Sequence, residues 1–302
     1  MIKFFLIFII LFIHSCANPQ LESEKKKLNI NETVVVSVDS GSKEQLVVNQ
    51  GPSMDPVSKN KTAQASKVLG VFLTGGTYRA FAYPEVLNEF DKNAIRVHLI
   101  SGYEMGALVA ALFAKYGSAR EIEWRIFKLR NQLKEHTPFS REWMKSLDQF
   151  IDSIFGVDGI QDYKVVLALP AYDSINKKFV FLKRGNVATS LKNHFDYFYR
   201  SLAKDQNDKK EIDLASLRLD IPIVIDSVLN SEQGNIDKIE KTSFLKVSIN
   251  QNDVKRILIL DSKNQSASDL RNLADFIQRN KPATKEFVNN LLREMKNEEN
   301  HY

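Results

Sequence analysis

The stretch Ile100-Ser101-Gly102-Tyr103-Glu104-Met105-Gly106-Ala107-Leu108 decides how the rest of the chain reads. Apolar residues lead into Ile100, two glycines bracket a short turn, and an alanine-rich apolar run follows. Strand, turn and helix in that order form the layout of a Gly-x-Ser-x-Gly nucleophile elbow, where a sharp backbone turn aims the middle residue into an active site. The middle residue here is Glu104, and no Gly-x-Ser-x-Gly occurs anywhere in the chain. The pattern predicts the scaffold of an acyl hydrolase without its usual attacking group.

Outward from the elbow, strand and helix patterns alternate. Val68 to Leu73 is a short apolar run that ends at glycines, as a buried strand does, and Phe81 to Phe90 has helical spacing. Val97 to Ile100 reads as a second buried strand and Met105 to Lys115 as an apolar helix suited to close packing under a sheet. Two amphipathic helices are expected at Ala119 to Leu133 and Arg141 to Phe155, then strands at Val165 to Leu169 and Lys178 to Leu182 around the turn Asp173 to Asn176. A helix is expected over Val187 to Ala203, strands at Ile221 to Ile225, Leu245 to Ile249 and Ile257 to Leu260, and two closing helices at Ser266 to Gln278 and Thr284 to Lys296. Continuous apolar strands separated by helices predict an α/β fold of three layers, with a mostly parallel central sheet flanked by helices. Residues 67–302 are enough chain to enclose one large core.

The first residues read as an address. Met1-Ile2-Lys3 gives a short positive region before the apolar run Phe4 to Ile13, which is too short for a bilayer span of about 20 residues but suits a secretory signal. Ile13-His14-Ser15-Cys16 resembles a bacterial lipobox, which divides the start into a signal peptide at 1–15 and a lipidatable Cys16. Cys16 is the sole cysteine, so no internal disulfide framework exists; the alternative is a free thiol removed with an ordinary signal peptide. Residues 16–66 lack aromatic side chains and are rich in charge, Ser, Asn and Gln, the composition of a flexible tether. With Ala17 after the cysteine and no aspartate, the expected place is a bacterial outer membrane, facing the periplasm.

The segment Leu73-Thr74-Gly75-Gly76-Thr77-Tyr78-Arg79-Ala80-Phe81-Ala82 resembles the opening of the patatin-like phospholipase family, a Gly-Gly-Gly-x-Arg-Gly loop after the first strand. Gly75, Gly76 and Arg79 keep that pattern, and Thr77 and Ala80 stand where it has glycines. The elbow Gly102-Tyr103-Glu104-Met105-Gly106 follows in the family's order, and the close match covers residues 68 to 117. The resemblance implies that Gly75, Gly76 and Thr77 supply backbone N–H groups to an oxyanion; the plainer reading is a turn in which the glycines only permit tight packing. It implies an anion-binding role for Arg79, against which stands a scaffold role beside a carboxylate. It also implies a Ser–Asp dyad, whose aspartate sits in a late Asp-Gly motif expected before the strand Ile221 to Ile225. That interval holds no Asp-Gly pair, and Asp205 is the nearest candidate.

Three consequences follow for function. Glu104 lies at a helix N-terminus beside the expected oxyanion hole, where a negative charge is favoured. It either fills that anion site from within or pairs with a nearby Arg or Lys. Both readings predict poor hydrolysis, which leaves a pseudoenzyme that binds a lipid, an acyl group or a protein. The alternatives are a hydrolase with a rearranged nucleophile, Ser101 or Thr77, and a purely structural envelope protein. Charge adds a boundary: 42 basic and 37 acidic residues are interspersed along the chain with no basic stripe, so nucleic acid is not an expected partner. His98, His136, His194 and His301 show no metal-ligand spacing and read as packing or surface residues, and neither a cofactor nor a metal is expected. The run His194 to Arg200 fits either the buried face of a helix or a patch facing lipid or protein.

Overall fold

The two apolar runs before and at the elbow pair side by side. Strand β1 (Leu69–Leu73) is fully buried and runs parallel to β2 (Leu99–Gly102), with Val71 opposite Ile100 and Leu73 opposite Gly102. The computed structural model describes residues 67–201, 210–227, 239–240, 245–248, 256–262 and 270–299. The expected signal peptide, Cys16, the tether and Asp205 lie outside the described residues.

Further strands are β3 (Val166–Asp173), β4 (Lys178–Leu182), β5 (Lys210–Asp213), β6 (Ile221–Asp226), β7 (Ile239–Glu240), β8 (Leu245–Ser248) and β9 (Ile257–Ile259). Six of them form one sheet in the order β4-β3-β2-β1-β6-β9, all parallel except the β3–β4 hairpin. β5, β8 and β7 form a small second sheet. The chain moves outward from β1 through β2 and β3, then returns to β1's other edge with β6. Strand order therefore reverses at β1, the position where open α/β sheets leave a crevice beyond their carboxyl ends.

Strand alternation divides the core in two. Leu69, Val71 and Leu73 face the long helices, while Phe72 meets Val224, Ala168, Ile212 and the helical turn Leu214–Leu217 on the other face. The helices are α1 (Tyr83–Lys92), α2 (Met105–Tyr116), α3 (Ala119–Leu133), α4 (Arg141–Phe155), α5 (Val187–Asp196) and α6 (Leu273–Glu299). In α2 every residue from Met105 to Ala114 is buried, and its alanines let it press closely on its neighbours. Ser118 and Ser140 accept the backbone N–H groups of Glu121 and Trp143, which fixes the starts of α3 and α4 at the expected residues. No described helix is long and apolar enough to cross a membrane.

Two expectations need correction. The closing helices are one helix, α6, with Pro282 inside it. Proline removes one donor, and Gln278, whose carbonyl loses that partner, is exposed. On the buried side Asn280 donates to Phe276 O and pairs with both backbone groups of Asp261, while Thr284 donates to Asn280 O. Those bonds carry the helix past its proline. The second correction concerns Val187 to Ala203: the α-helical part ends at Asp196 and a π-helical turn covers Tyr197–Ser201. The wider turn distributes successive rings, sending Phe195 and Tyr199 to the helical core and Phe198 to the opposite face.

Candidate functional site

At the elbow, β2 gives way to α2 within two residues. Glu104 has φ 50° and ψ −133°, outside the regions open to an ordinary L-residue, and directly precedes the helix. Gly106 N donates to Tyr103 O at 3.0 Å, closing the turn. The flanking glycines are dictated by space. A Cβ on Gly102 would lie 2.6 Å from Gly106 O and 2.7 Å from Leu73 O, and one on Gly106 would strike the carbonyls of Leu73 and Thr74. The elbow therefore packs backbone against backbone on the end of β1.

The glycine loop closes over it. Gly76 takes φ 104° and opens a 3-10 turn, Thr77–Ala82, in which Arg79 N donates to Gly76 O at 2.9 Å. Gly76 N donates to Glu104 Oε2 at 3.0 Å. A Cβ on Gly75 would collide with that same carboxylate. Thr77 sits at φ 50°, so the position does require the left-handed region that a β-branched residue disfavours, at a cost of about 1–3 kcal/mol. Thr77 is buried, 5% exposed, so the strained residue is held by packing on all sides. The backbone amide that reaches toward the elbow is thus engaged by the chain's own carboxylate.

A buried polar network supports the loop from below. Thr74, one residue past β1, donates to Oδ1 of Asp226 at the end of β6 (2.8 Å), and its own N–H donates to Ile225 O. Tyr83 OH lies 3.0 Å from Thr74 Oγ1 and 2.8 Å from Ser227 Oγ, and it reaches Gly75 O at 3.1 Å. Ser227 Oγ also donates to Gly75 O at 3.0 Å. Burial, then the neighbouring Asp226 charge, raise the Tyr83 hydroxyl well above its usual range, so it stays protonated as a donor. Arg79 stands half-buried with Nη1 3.4 Å from Ser227 O; burial lowers its pKa, and the nearby Asp226 charge acts in the opposite direction.

The third support is His194, 4% exposed on α5. Glu104 N donates to its Nε2 at 2.8 Å, and its Nδ1 lies 2.9 Å from Pro170 O. One nitrogen must accept from an amide while the other faces a carbonyl, which fixes the neutral tautomer with the proton on Nδ1. Burial pushes its pKa down to about 4, against the opposing pull of Pro170 O and the Glu104 charge. A ring read from sequence as an ordinary packing residue holds the elbow amide.

Gly75, Gly76, Thr77, Arg79, Gly102, Glu104 and Gly106 therefore meet at the carboxyl edge of β1 and β2, beside the strand-order reversal. Ser101 does not join them; its Oγ donates to Ala168 O at 2.5 Å, inside the sheet. Asp173 is spent on the β3–β4 turn, accepting from the N–H groups of Ile175 and Asn176. The carboxylate that does reach the site is Asp226, whose field acts on Tyr103 together with that of Glu104. Its sequence signal was an aspartate directly after the apolar run Ile221 to Ile225, which the expectation of an Asp-Gly pair before that strand passes over. Among the described residues no group of three or more His, Cys, Asp or Glu side chains is placed to hold a metal ion.

No protein-family model and no curated protein matches this chain. Two solved structures from the type III secretion system of Pseudomonas aeruginosa resemble it distantly, each a complex of the proteins ExoU and SpcU. One, a crystal structure of both full-length proteins, gives a TM-score of 0.40 at 13% identity, covering 74% of this chain and 52% of that chain. The other, the heterodimeric complex, gives 0.45 at 12%, covering 84% and 62%. The chain spans less than two thirds of the length of either match.

Proposed function

We propose that this chain is a patatin-like pseudoenzyme of the bacterial cell envelope, anchored through lipidated Cys16 at the outer membrane, which binds a lipid or acyl ligand or a protein partner without hydrolysing it. The observation that carries the reading is the Gly76 N–H···Oε2 Glu104 bond of 3.0 Å. An ester hydrolase needs that amide for the oxyanion of its tetrahedral intermediate. A carboxylate already there costs catalysis twice. It occupies the donor, and its charge opposes the developing oxyanion by about 4 kcal/mol for unit charges 4 Å apart at an effective dielectric of 20, roughly a thousandfold in rate.

Glu104 is also a poor nucleophile for this chemistry. Attack on an ester would expel an alkoxide and leave a mixed anhydride of higher energy than the ester. Losing the nucleophile from a concerted catalytic set costs on the order of a million-fold. The strained elbow, the glycine loop and the Asp226 network are nonetheless in place, which supports a retained cleft put to another use.

The test is phospholipase A and short-chain esterase activity of the protein beside its Glu104→Ser and Glu104→Ala variants, with binding of a radiolabelled fatty acid to each. The expected result is an inactive parent, and a Glu104→Ala variant that binds the fatty-acid carboxylate more tightly because Gly76 N–H is released. Parent hydrolysis that vanishes in Glu104→Ala would overturn the pseudoenzyme reading and make Glu104 catalytic.

A further inference from the structure

Helix α3 carries a feature that neither the core nor the elbow uses. Ile122, Ile126, Leu129 and Leu133 turn inward, yet Trp124 and Phe127 remain 53% and 49% exposed. Their rings stack on each other, with centroids 5.9 Å apart and planes 14° from parallel, and Lys128 Nζ stands 4.9 Å from the Trp124 ring centroid. The pair therefore forms a fixed apolar knob on a rigid helix rather than two loose side chains.

We infer that this face of α3 docks on an anionic lipid bilayer, with the two rings entering the boundary between headgroups and acyl chains and Arg120 and Lys128 meeting the headgroup charge. Arg120 and Lys128 stand four residues either side of Trp124, which puts both cations on its face of the helix. Of the nearby carboxylates, Glu121 pairs with Arg125 at 2.8 Å and Glu135 with Lys134 at 3.7 Å. Exposed Glu123 stands near Glu85 and in the fields of Lys281, Lys92 and Arg120, so the charge of this face is positive through Lys128 and the share of Arg120 that Glu123 leaves. Tryptophan with flanking cations is the composition that partitions to a membrane interface, since the indole is half apolar and half polar and long cationic side chains reach back to phosphate.

A second copy of the chain fits this surface less well. Two aromatic side chains of about 150–250 Å² each fall well short of the roughly 800 Å² per partner that a stable interface buries. A two-fold contact centred on Trp124 would also set Arg120 and Lys128 against the same two cations of the second copy. The inference stands apart from the reading of the elbow and needs no lipid on Cys16.

Trp124 and Trp143 are the only tryptophans, and Trp143 is buried with its Nε1 donating to Tyr78 OH, so changes in emission on vesicles report Trp124. The experiment titrates the full chain with phosphatidylcholine vesicles, with and without phosphatidylglycerol, whose acyl chains carry bromine as a quencher. The expected result is a blue shift and quenching on phosphatidylglycerol vesicles that Trp124→Phe abolishes. Phe127→Ala should weaken partitioning about tenfold, and the double change R120E/K128E by about tenfold or more. Chains that reach the vesicles with Trp124 unquenched, as binding through the apolar N-terminal run alone would leave them, would overturn the inference. So would quenching indifferent to R120E/K128E, or a blue shift that grows with protein concentration in the absence of vesicles, which would assign the face to a second copy.

Discussion

Between Met105 and Phe155 the chain forms three helices whose inward positions are apolar almost without exception, and whose second and third members begin at serine caps. A few residues away, at the carboxyl ends of β1, β2 and β6, the protein buries Thr74, Thr77, Asp226, Ser227 and His194 and holds Thr77 and Glu104 at positive φ. The helical layer follows local preference nearly throughout, with Phe139 at φ 67° in the α3–α4 connection as an exception. The strand ends violate that preference repeatedly in one place, and several of the violations have partners that fix them: His194 for the Glu104 amide, Gly76 for its carboxylate, Tyr83 and Asp226 for Thr74. Buried polarity gathered at one edge together with two strained, functionally placed residues is the mark of a built site, and it persists only because the surrounding packing over-determines it.

The largest expected effect is at Gly106. A methyl there meets the carbonyls of Leu73 and Thr74, which are backbone atoms of β1 and cannot swing aside. Gly106→Ala should cost about 3 kcal/mol or more in chemical denaturation, or prevent folding. A small loss would mean that the elbow and β1 can separate, and the contrast with the helical layer would fail.

The next effect is a pH dependence from His194. Its folded pKa of about 4 lies below the usual 6.5, so the unfolded chain binds the proton more readily. Stability is full above pH 6.5 and falls as the pH drops from there toward 4, by about 3 kcal/mol over the window. Denaturation midpoints measured across that range should show this slope, and His194→Gln should flatten it. An unchanged slope in that variant would place the sensitivity elsewhere than at the elbow.

The smallest effect sharpens the account of strain. Thr77→Gly removes a β-branched side chain from positive φ but adds freedom to the unfolded chain, for a net gain of up to about 1 kcal/mol. A loss in the same denaturation assay would show that the packing of the buried Thr77 side chain outweighs the backbone strain.

Most of the architecture could be read in advance because it follows from spacing. The bounds of α3 and α4 and of β4 match the amphipathic and alternating patterns residue for residue. Elements that depend on distant partners were less legible. α6 runs through Pro282 because Asn280 is held by Asp261, a contact no local pattern encodes. β5 (Lys210–Asp213), with a charged start, needs β8 to become a strand. Within the site, the glycines and Glu104 were visible because the elbow is a contiguous motif. Asp226 and His194 were not, since each belongs to the site through a strand or helix far along the chain.

The sequence by itself determined the α/β alternation, the elbow layout and the absence of a serine at its centre, because each is written in consecutive residues under short-range steric and hydrophobic rules. Only the tertiary structure decided that the Glu104 carboxylate turns onto Gly76 N–H, that His194 holds the elbow amide, and that Asp226 is the carboxylate beneath the loop. Those facts rest on hydrogen bonds between groups 28, 90 and 152 residues apart. Bonds of that kind have no period along the chain and exist only once the sheet has brought its strand ends together.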